Sequence, residues 1–367
     1  MESPIYENTV EKMMIQRASM MQRPINGTLE LLPLCNMSCE MCYVRLGRSE
    51  MEAQGSLRTA DEWIRLGEEM QEAGVLMLML TGGEPLLFPE FRRLYLALRN
   101  MGMILTVNTN GTLLDEEWAD FFGKHKPRRM NITLYGAKEE TYESLCHYPG
   151  GYEKTRKAIR LLHDKGVDVK INGSITKDNF EDMEALFAVG KAFDSPVHLD
   201  TYMLPGTRDR LLPLEKQARL LPEDAAAAEM GRLRGELSPE DFQFCVAQML
   251  QRVENTEAEY PAGISCMAGN CSFAINWQGQ MRPCITLSEP SVPVFEMGFE
   301  ASWKVIAEES KKFRLAPQCI ECRLRPICRV CVASAKLETG EYDKVPEYLC
   351  RYTHTYLKLL QDTRESQ

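Results

Sequence analysis

What most limits how this chain can fold is where its cysteines stand. Thirteen occur in 367 residues: Cys35, Cys39 and Cys42 near the start, eight between Cys266 and Cys350, and only Cys146 and Cys245 apart from both groups. Disulfides explain this placement poorly. The N-terminus, MESPIYENTVEKMMIQ, lacks a basic region followed by a long apolar run, and the longest aliphatic stretch, Val75–Leu80, is strand-sized. Neither export nor membrane insertion is signalled, so the expected location is the cytoplasm, where thiols stay reduced and close CxxC pairs suit a metal. Asn-x-Thr triplets at Asn26, Asn110 and Asn131 carry no glycosylation meaning there. A formal net charge of −10 and a pI near 5.3 argue against nucleic acid or an anionic membrane as partner.

With 44% hydrophobic residues, the chain can bury one large α/β domain and a smaller one. Strand-length apolar runs at Thr28–Leu34, Val75–Leu80, Met103–Asn108, Met130–Tyr135, Val167–Ile175 and Val197–Met203 alternate with helical patterns, clearest at Thr59–Gly74, Phe88–Gly102 and Gly151–Gly166. Six β/α units predict a partial, TIM-like (β/α)6 barrel over 25–206. Around it the boundaries are an N-terminal segment 1–24, a helical bridge 207–264, and a cysteine-rich domain 265–367 that closes on a helix. The bridge's charge run reads as a solvated helix face. In such folds chemistry sits at the carboxyl ends of the strands. The cysteine trio, Thr81-Gly82-Gly83-Glu84-Pro85 and Asn108-Thr109-Asn110-Gly111 all follow strands there.

Cys35, Cys39 and Cys42 offer three thiolates in one loop, able to ligate three irons of a cubane and leave the fourth open. An open iron binds and reduces a ligand, whereas a fully ligated cluster only passes electrons. Zinc, which wants four ligands, and buried thiols are the alternatives. The loop, CNMSCEMCY, with Gly82-Gly83-Glu84-Pro85 after the second strand, resembles the radical S-adenosylmethionine (SAM) superfamily, with its CxxxCxxC and GGEP motifs. The resemblance implies a catalytic [4Fe–4S] cluster on Cys35, Cys39 and Cys42 whose open iron binds SAM. Reduction then splits SAM into methionine and a 5′-deoxyadenosyl radical that takes hydrogen from an unactivated C–H bond. It also implies that GGEP lies beside the methionine amino group, where glycines permit close backbone approach. Tyr43 takes the place of the aromatic that faces adenine. Thr133 matches a hydroxyl near the cofactor carboxylate, and Asn108, Asn110, Asn172, Ser174 and Leu204 lie at strand ends where cofactor contacts recur.

The later cysteines, Cys266-x4-Cys271-x12-Cys284, Cys319-x2-Cys322-x5-Cys328-x2-Cys331 and Cys350, number enough for two four-thiolate clusters; CxxC pairs also make zinc ribbons. Residues 266–350 resemble the SPASM domain attached to many radical SAM enzymes. The departure is a gap of two residues, Arg329 and Val330, where the family has three. The resemblance assigns Cys266, Cys271, Cys284 and Cys331 to one auxiliary [4Fe–4S] cluster and Cys319, Cys322, Cys328 and Cys350 to another, three clusters in all. Both auxiliary sites are then closed and serve electron transfer.

Relatives of this type include peptide crosslinking maturases, peptide epimerases, sulfatase maturases and small-molecule oxidases. The maturases of sulfatases carry an acidic base after the cysteine matching Cys284, where this chain has Ile285. Some 25 residues before the first strand leave no room for a leader-binding domain. The expected substrate is a ribosomally synthesised peptide, oxidatively crosslinked through a thioether or C–C bond and recognised through residues 207–260 or by a separate leader-peptide-binding protein. An electron donor such as a flavodoxin or ferredoxin completes the partners. The alternative chemistry is peptide epimerisation, with Cys146 or Cys245 returning a hydrogen atom, although free cysteines more often simply pack as small apolar residues. His147, beside Cys146, reads as a base or a surface residue. A small-molecule oxidase is a further alternative, and an electron carrier or a zinc-stabilised binding protein is the reading outside catalysis.

Overall fold

The computed structural model describes residues 9–206, 216–255 and 259–365. It divides into two compact units, one of 1–35, 44–107 and 264–313 and the other of 36–43, 108–263 and 314–367. The expected cysteine-rich domain is thus shared between them, and parts of the expected N-terminal segment and bridge (1–8, 207–215 and 256–258) lie outside the described residues.

In the first unit, β1 (Asn26–Glu30) pairs in parallel with β2 (Met77–Thr81), and β2 with β3 (Ile104–Thr109), which runs on into the second unit. Helices α1 (Thr9–Met20), α2 (Arg48–Gln54), α3 (Ala60–Glu72) and α4 (Phe91–Asn100) belong to the same unit. The start of α3 is fixed by a reciprocal cap: the Glu62 amide donates to Thr59 Oγ1 at 3.3 Å and the Thr59 amide to the Glu62 carboxylate at 2.7 Å. One apolar stripe of α3, Trp63, Leu66 and Met70, is fully enclosed.

Unforeseen in the sequence reading is a further parallel strand on β1, β7 (Ser272–Ile275), which lies in the cysteine-rich region and is followed by antiparallel β8 (Gln280–Arg282) and β9 (Val292–Pro293). Gly27 explains the pairing. It stands opposite Phe273, and a Cβ there would lie 2.4 Å from the Phe273 ring, so only glycine leaves room for the aromatic residue.

The second unit carries β4 (Arg129–Thr133), β5 (Val169–Ser174) and β6 (Val197–Asp200), parallel in that order. Its barrel helices are α5 (Glu116–Lys124), α6 (Glu139–Cys146), α7 (Gly151–Asp164) and α8 (Met183–Ala192), followed by α9 (Pro222–Glu236) and α10 (Pro239–Glu254). The short α11 (Val294–Met297) and α12 (Phe299–Ser310) return to the first unit, and α13 (Pro317–Ile320), α14 (Val332–Thr339) and α15 (Glu347–Glu365) complete the second. Six strands alternating with helices are the β/α units that the hydrophobic pattern predicts. On β4 and β5 the apolar positions Met130, Ile132, Val169 and Ile171 are buried, while Asn131, Thr133, Lys170, Asn172 and Ser174 alternate with them on a half-open polar face.

The bridge corrects one expectation. One face of α9 is solvated as expected, with Glu223, Asp224 and Arg234 exposed, but the opposite face buries two charges, Glu229 and Arg232, with Ala225, Ala226, Ala228, Met230 and Leu233. Small alanines let it lie along α15, and its enclosed charges are paired.

Candidate active site

In the first unit the chain leaving β1 runs beside the loop leaving β2. The Leu31 amide donates to Thr81 O at 2.9 Å, the Gly83 amide to Leu32 O at 2.7 Å, and the Glu84 amide to Leu34 O at 2.9 Å. This lead-in ends at Cys35. Gly82 has φ +150°, and a Cβ on Gly82 or Gly83 would lie 2.5 Å from Leu32 O or 2.3 Å from Leu34 O respectively. The glycines therefore serve first to let these two backbones touch; the sequence reading had assigned their closeness to a ligand. Glu84, fully buried, accepts the Leu86 amide at 3.0 Å and caps the 310 turn Pro85–Leu87, with Pro85 buried at its first position. Glu30, a buried carboxylate at the end of β1, escaped the sequence reading because it continues an apolar strand pattern.

In the second unit the stretch Asn36–Tyr43 is held from two sides. The last carbonyls of α6, which have no partner within their own helix, take its amides: Ser38 N donates to Cys146 O at 3.0 Å and Glu40 N to Leu145 O at 3.2 Å. On the other side is a ring of three side chains. Asn110 Nδ2 donates to Asn36 Oδ1 at 2.9 Å, Asn36 Nδ2 to Thr112 Oγ1 at 2.8 Å, and Thr112 Oγ1 to Asn110 Oδ1 at 2.7 Å. Thr155 Oγ1 bonds Asn110 O at 3.1 Å, and the Tyr142 hydroxyl lies 3.0 Å from Thr155 Oγ1 and 3.2 Å from Thr133 O. The Asn110-Gly111-Thr112 triplet, one of the expected site loops, is thus a turn that grips the cysteine loop, and the Asn110 amide, a candidate for cofactor contact, is engaged within the protein. Cys146 is fully buried behind this loop. Burial first, then the sulfurs of Cys39, Cys146 and Cys42, hold the Tyr135 hydroxyl well above its ordinary pKa, so Tyr135 and these three thiols are near neighbours. His147 pairs with Glu40 at 3.4 Å, both exposed.

Asn131, dismissed with the Asn-x-Thr triplets, is the strongest omission. It donates to Asn108 Oδ1 at 2.7 Å, and its own Oδ1, like Asn172 Oδ1, is buried with no hydrogen-bond partner among the described residues. Buried acceptors left open are costly, and these two lie on the half-open polar face of β4 and β5. Thr133, Ser174, Tyr43 and Leu204 are half-buried. Asn179, fully used, ties Ser174 O (2.9 Å) to Tyr135 O (2.7 Å) and fixes the loops beyond the two strands.

The later cysteines separate by unit. Cys319, Cys322, Cys328 and Cys350 come together in the second: burial and then the sulfurs of Cys350, Cys328 and Cys322 push the Cys319 thiol up to about 11, and Cys328 and Cys350 are raised by burial and by neighbouring sulfurs. Cys331 opens α14, its sulfur accepting the Ser334 amide at 3.4 Å. In the first unit Cys271 is buried beside Cys266 and the Ser19 hydroxyl, and Cys284 Sγ lies 3.0 Å from Thr286 Oγ1. Among the described residues no three His, Cys, Asp or Glu side chains close on a single-ion site. A cubane asks for a different geometry, one thiolate per iron, with sulfurs more widely spaced than the roughly 3.8 Å of tetrahedral zinc. Cys245, on α10, is half-buried and raised by that burial.

Comparison with known proteins places this geometry. Residues 29–189 match the family model of the radical SAM superfamily. The chain is similar to AdoMet-dependent heme synthase of Methanosarcina barkeri, 25% identical over 88% of this chain and 95% of the relative. It is also similar to PqqA peptide cyclase of Granulibacter bethesdensis, 27% identical over 59% of this chain and 58% of the relative. SuiB of Streptococcus suis, solved with S-adenosylmethionine bound, shares the fold with TM-score 0.66 at 16% identity, over 95% of this chain and 82% of that one. Residues 29–189 thus form a radical SAM domain, in an enzyme with the partial-barrel fold and a cysteine-rich C-terminal region.

Proposed function

We propose that this enzyme removes hydrogen from a ribosomally made peptide and oxidises it, with Cys35, Cys39 and Cys42 holding the catalytic cluster and two auxiliary [4Fe–4S] clusters taking up the second electron. The observation that carries the reading is the contrast between a CxxxCxxC loop of three thiolates, in a chain with GGEP after its second strand, and a gathered set of four, Cys319, Cys322, Cys328 and Cys350. Four crowded thiols repel one another as they ionise, and iron removes that penalty by binding them as thiolates. The open amide oxygens of Asn131 and Asn172 suit the hydroxyl and amino donors of SAM. When bound, the cluster and SAM supply a 5′-deoxyadenosyl radical.

This chain's own residues then bind and orient. Asn36, Asn110, Thr112 and the end of α6 fix the cysteine loop, and Gly82 and Gly83 fix its lead-in. Asn131, Asn172, Thr133 and Ser174 line the polar strand face that receives the cofactor, with Tyr43 against adenine. An auxiliary cluster held by Cys319, Cys322, Cys328 and Cys350 would accept one electron from a substrate that had given up a hydrogen atom, and with one proton released to solvent the substrate would end two hydrogens lighter. Cys146, buried behind the cysteine loop, is enclosed like a packing residue, which favours oxidation over epimerisation. No helix among the described residues is long and apolar enough to cross a membrane. The reading keeps the enzyme in the cytoplasm, with a flavodoxin or ferredoxin as donor and a separate leader-binding protein.

The near full-length likeness to heme synthases supports a second reading, in which the oxidised substrate is a porphyrin side chain. Anaerobic incubation of the reconstituted enzyme with SAM, reductant and either candidate peptides encoded beside its gene or an iron porphyrin, followed by mass spectrometry, separates the two. A peptide lighter by two hydrogens supports the first reading. A porphyrin product with an untouched peptide rejects it in favour of the second.

A further inference from the structure

We propose that the Glu229–Arg329 pair, with its carboxylate buried, is a potential-setting device for the auxiliary cluster on Cys319, Cys322, Cys328 and Cys350. Arg329 is the first of the two residues between Cys328 and Cys331. The inference rests on the reading that these four cysteines hold a cluster.

Arg329 is locked in place from both sides of its peptide. The Val330 amide bonds the Cys328 sulfur, and Val330 O accepts Arg325 Nη1 at 2.6 Å. Its guanidinium reaches Glu229 Oε1 at 2.7 Å. Glu229, only 4% exposed, also accepts Thr201 Oγ1 at 2.6 Å and Arg232 through Nε at 3.1 Å and Nη2 at 2.7 Å. Arg232 goes on to Glu236, and Glu236 to His198 at 3.2 Å. One carboxylate therefore joins the loop after β6 to the peptide that carries Cys328.

Neither charge of the pair is a convenient surface accident. The Glu229 carboxylate is enclosed, where screening is weak and a fixed charge acts strongly on its neighbours, while the Arg329 side chain, 27% exposed, reaches in to it. A cluster that gains an electron gains negative charge, so a nearby bare cation favours reduction and a nearby bare anion opposes it. Paired, Glu229 and Arg329 largely cancel. Glu229→Gln takes one negative charge out of this network and Arg329→Gln one positive charge from the residue next to Cys328, with Arg232 still on Glu229, so the two substitutions act with opposite sign. A merely structural role would loosen the cluster in both variants and would not produce opposite shifts.

The test is an EPR-monitored redox titration of the full chain, anaerobically reconstituted, without SAM. Glu229→Gln is expected to raise the midpoint potential of the auxiliary signal and Arg329→Gln to lower it, while Arg329→Lys, which keeps the charge, stays at the wild-type value and serves if either Gln variant does not fold. Potentials that do not move, that move together in the two Gln variants, or that shift in Arg329→Lys overturn the inference. Iron and sulfide counts on the wild type separate this from the underlying reading: only four irons per chain would mean that the auxiliary cluster itself is missing.

Discussion

Within the second unit, the stretch Asn36–Tyr43 and the segment Cys319–Cys350 both present thiols, but they are supported differently. The first is short and is held mainly by neutral groups, the Asn36–Asn110–Thr112 ring and the last carbonyls of α6, with one exposed ion pair, Glu40–His147. The second is framed by α14 and α15 and by ion pairs, the half-buried Arg329–Glu229 and the buried, bidentate Arg219–Glu338 at 2.7 and 3.1 Å. Neutral supports add no net charge beside a centre whose job is to bind and reduce a ligand. Charged, mutually cancelling supports suit a closed centre whose job is to hold an electron at a set potential. On the proposed function, the surroundings differ as the two roles require, as does the number of thiolates.

The comparison breaks first at Gly83. Gly83→Ala places a Cβ 2.3 Å from Leu34 O, against backbone that cannot turn aside, and is expected to cost about 3 kcal/mol of stability, read by denaturant unfolding. The lead-in to Cys35 moves with it, so SAM affinity falls while the auxiliary EPR signals persist. An unchanged unfolding midpoint would show that the two backbones do not need to touch.

A smaller effect probes the charged side. Bonds to Asp200 and then Glu236 raise the pKa of His198 to about 9 from 6.5. Because the folded value is the higher one, its stabilisation is complete below pH 6.5 and is lost as pH rises through 9, with a ceiling of about 3 kcal/mol and less after solvent screening. Thermal unfolding between pH 6 and pH 10 is expected to show this loss in the wild type and a flatter profile in His198→Gln. Parallel profiles would remove His198 from the network.

Much of the site was legible because its signals are local. A CxxxCxxC loop and a GGEP turn need only a few adjacent residues, and period-two runs locate the strands, although β1 ends at Glu30 rather than Leu34 because Leu31–Leu34 leave the strand to meet Gly82 and Gly83. What stayed hidden depends on partners distant in sequence. Nothing around Gly27 announces that Phe273 will pack on it, and Asn131 and Asn110 look alike as triplets although one keeps an open oxygen and the other closes a ring. The buried charges of α9 look like part of its solvated face until Arg329, some hundred residues later, supplies the counter-ion for Glu229.

The central claim is that three thiolates make the chemistry and four carry electrons. Its most direct test is the 5′-deoxyadenosine formed from SAM under strong anaerobic reduction, without substrate, by wild type, Cys39→Ala and Cys322→Ala side by side. The account predicts formation by wild type and by Cys322→Ala, and only background from Cys39→Ala. Equal formation by all three, or loss in Cys322→Ala with activity kept in Cys39→Ala, would contradict it.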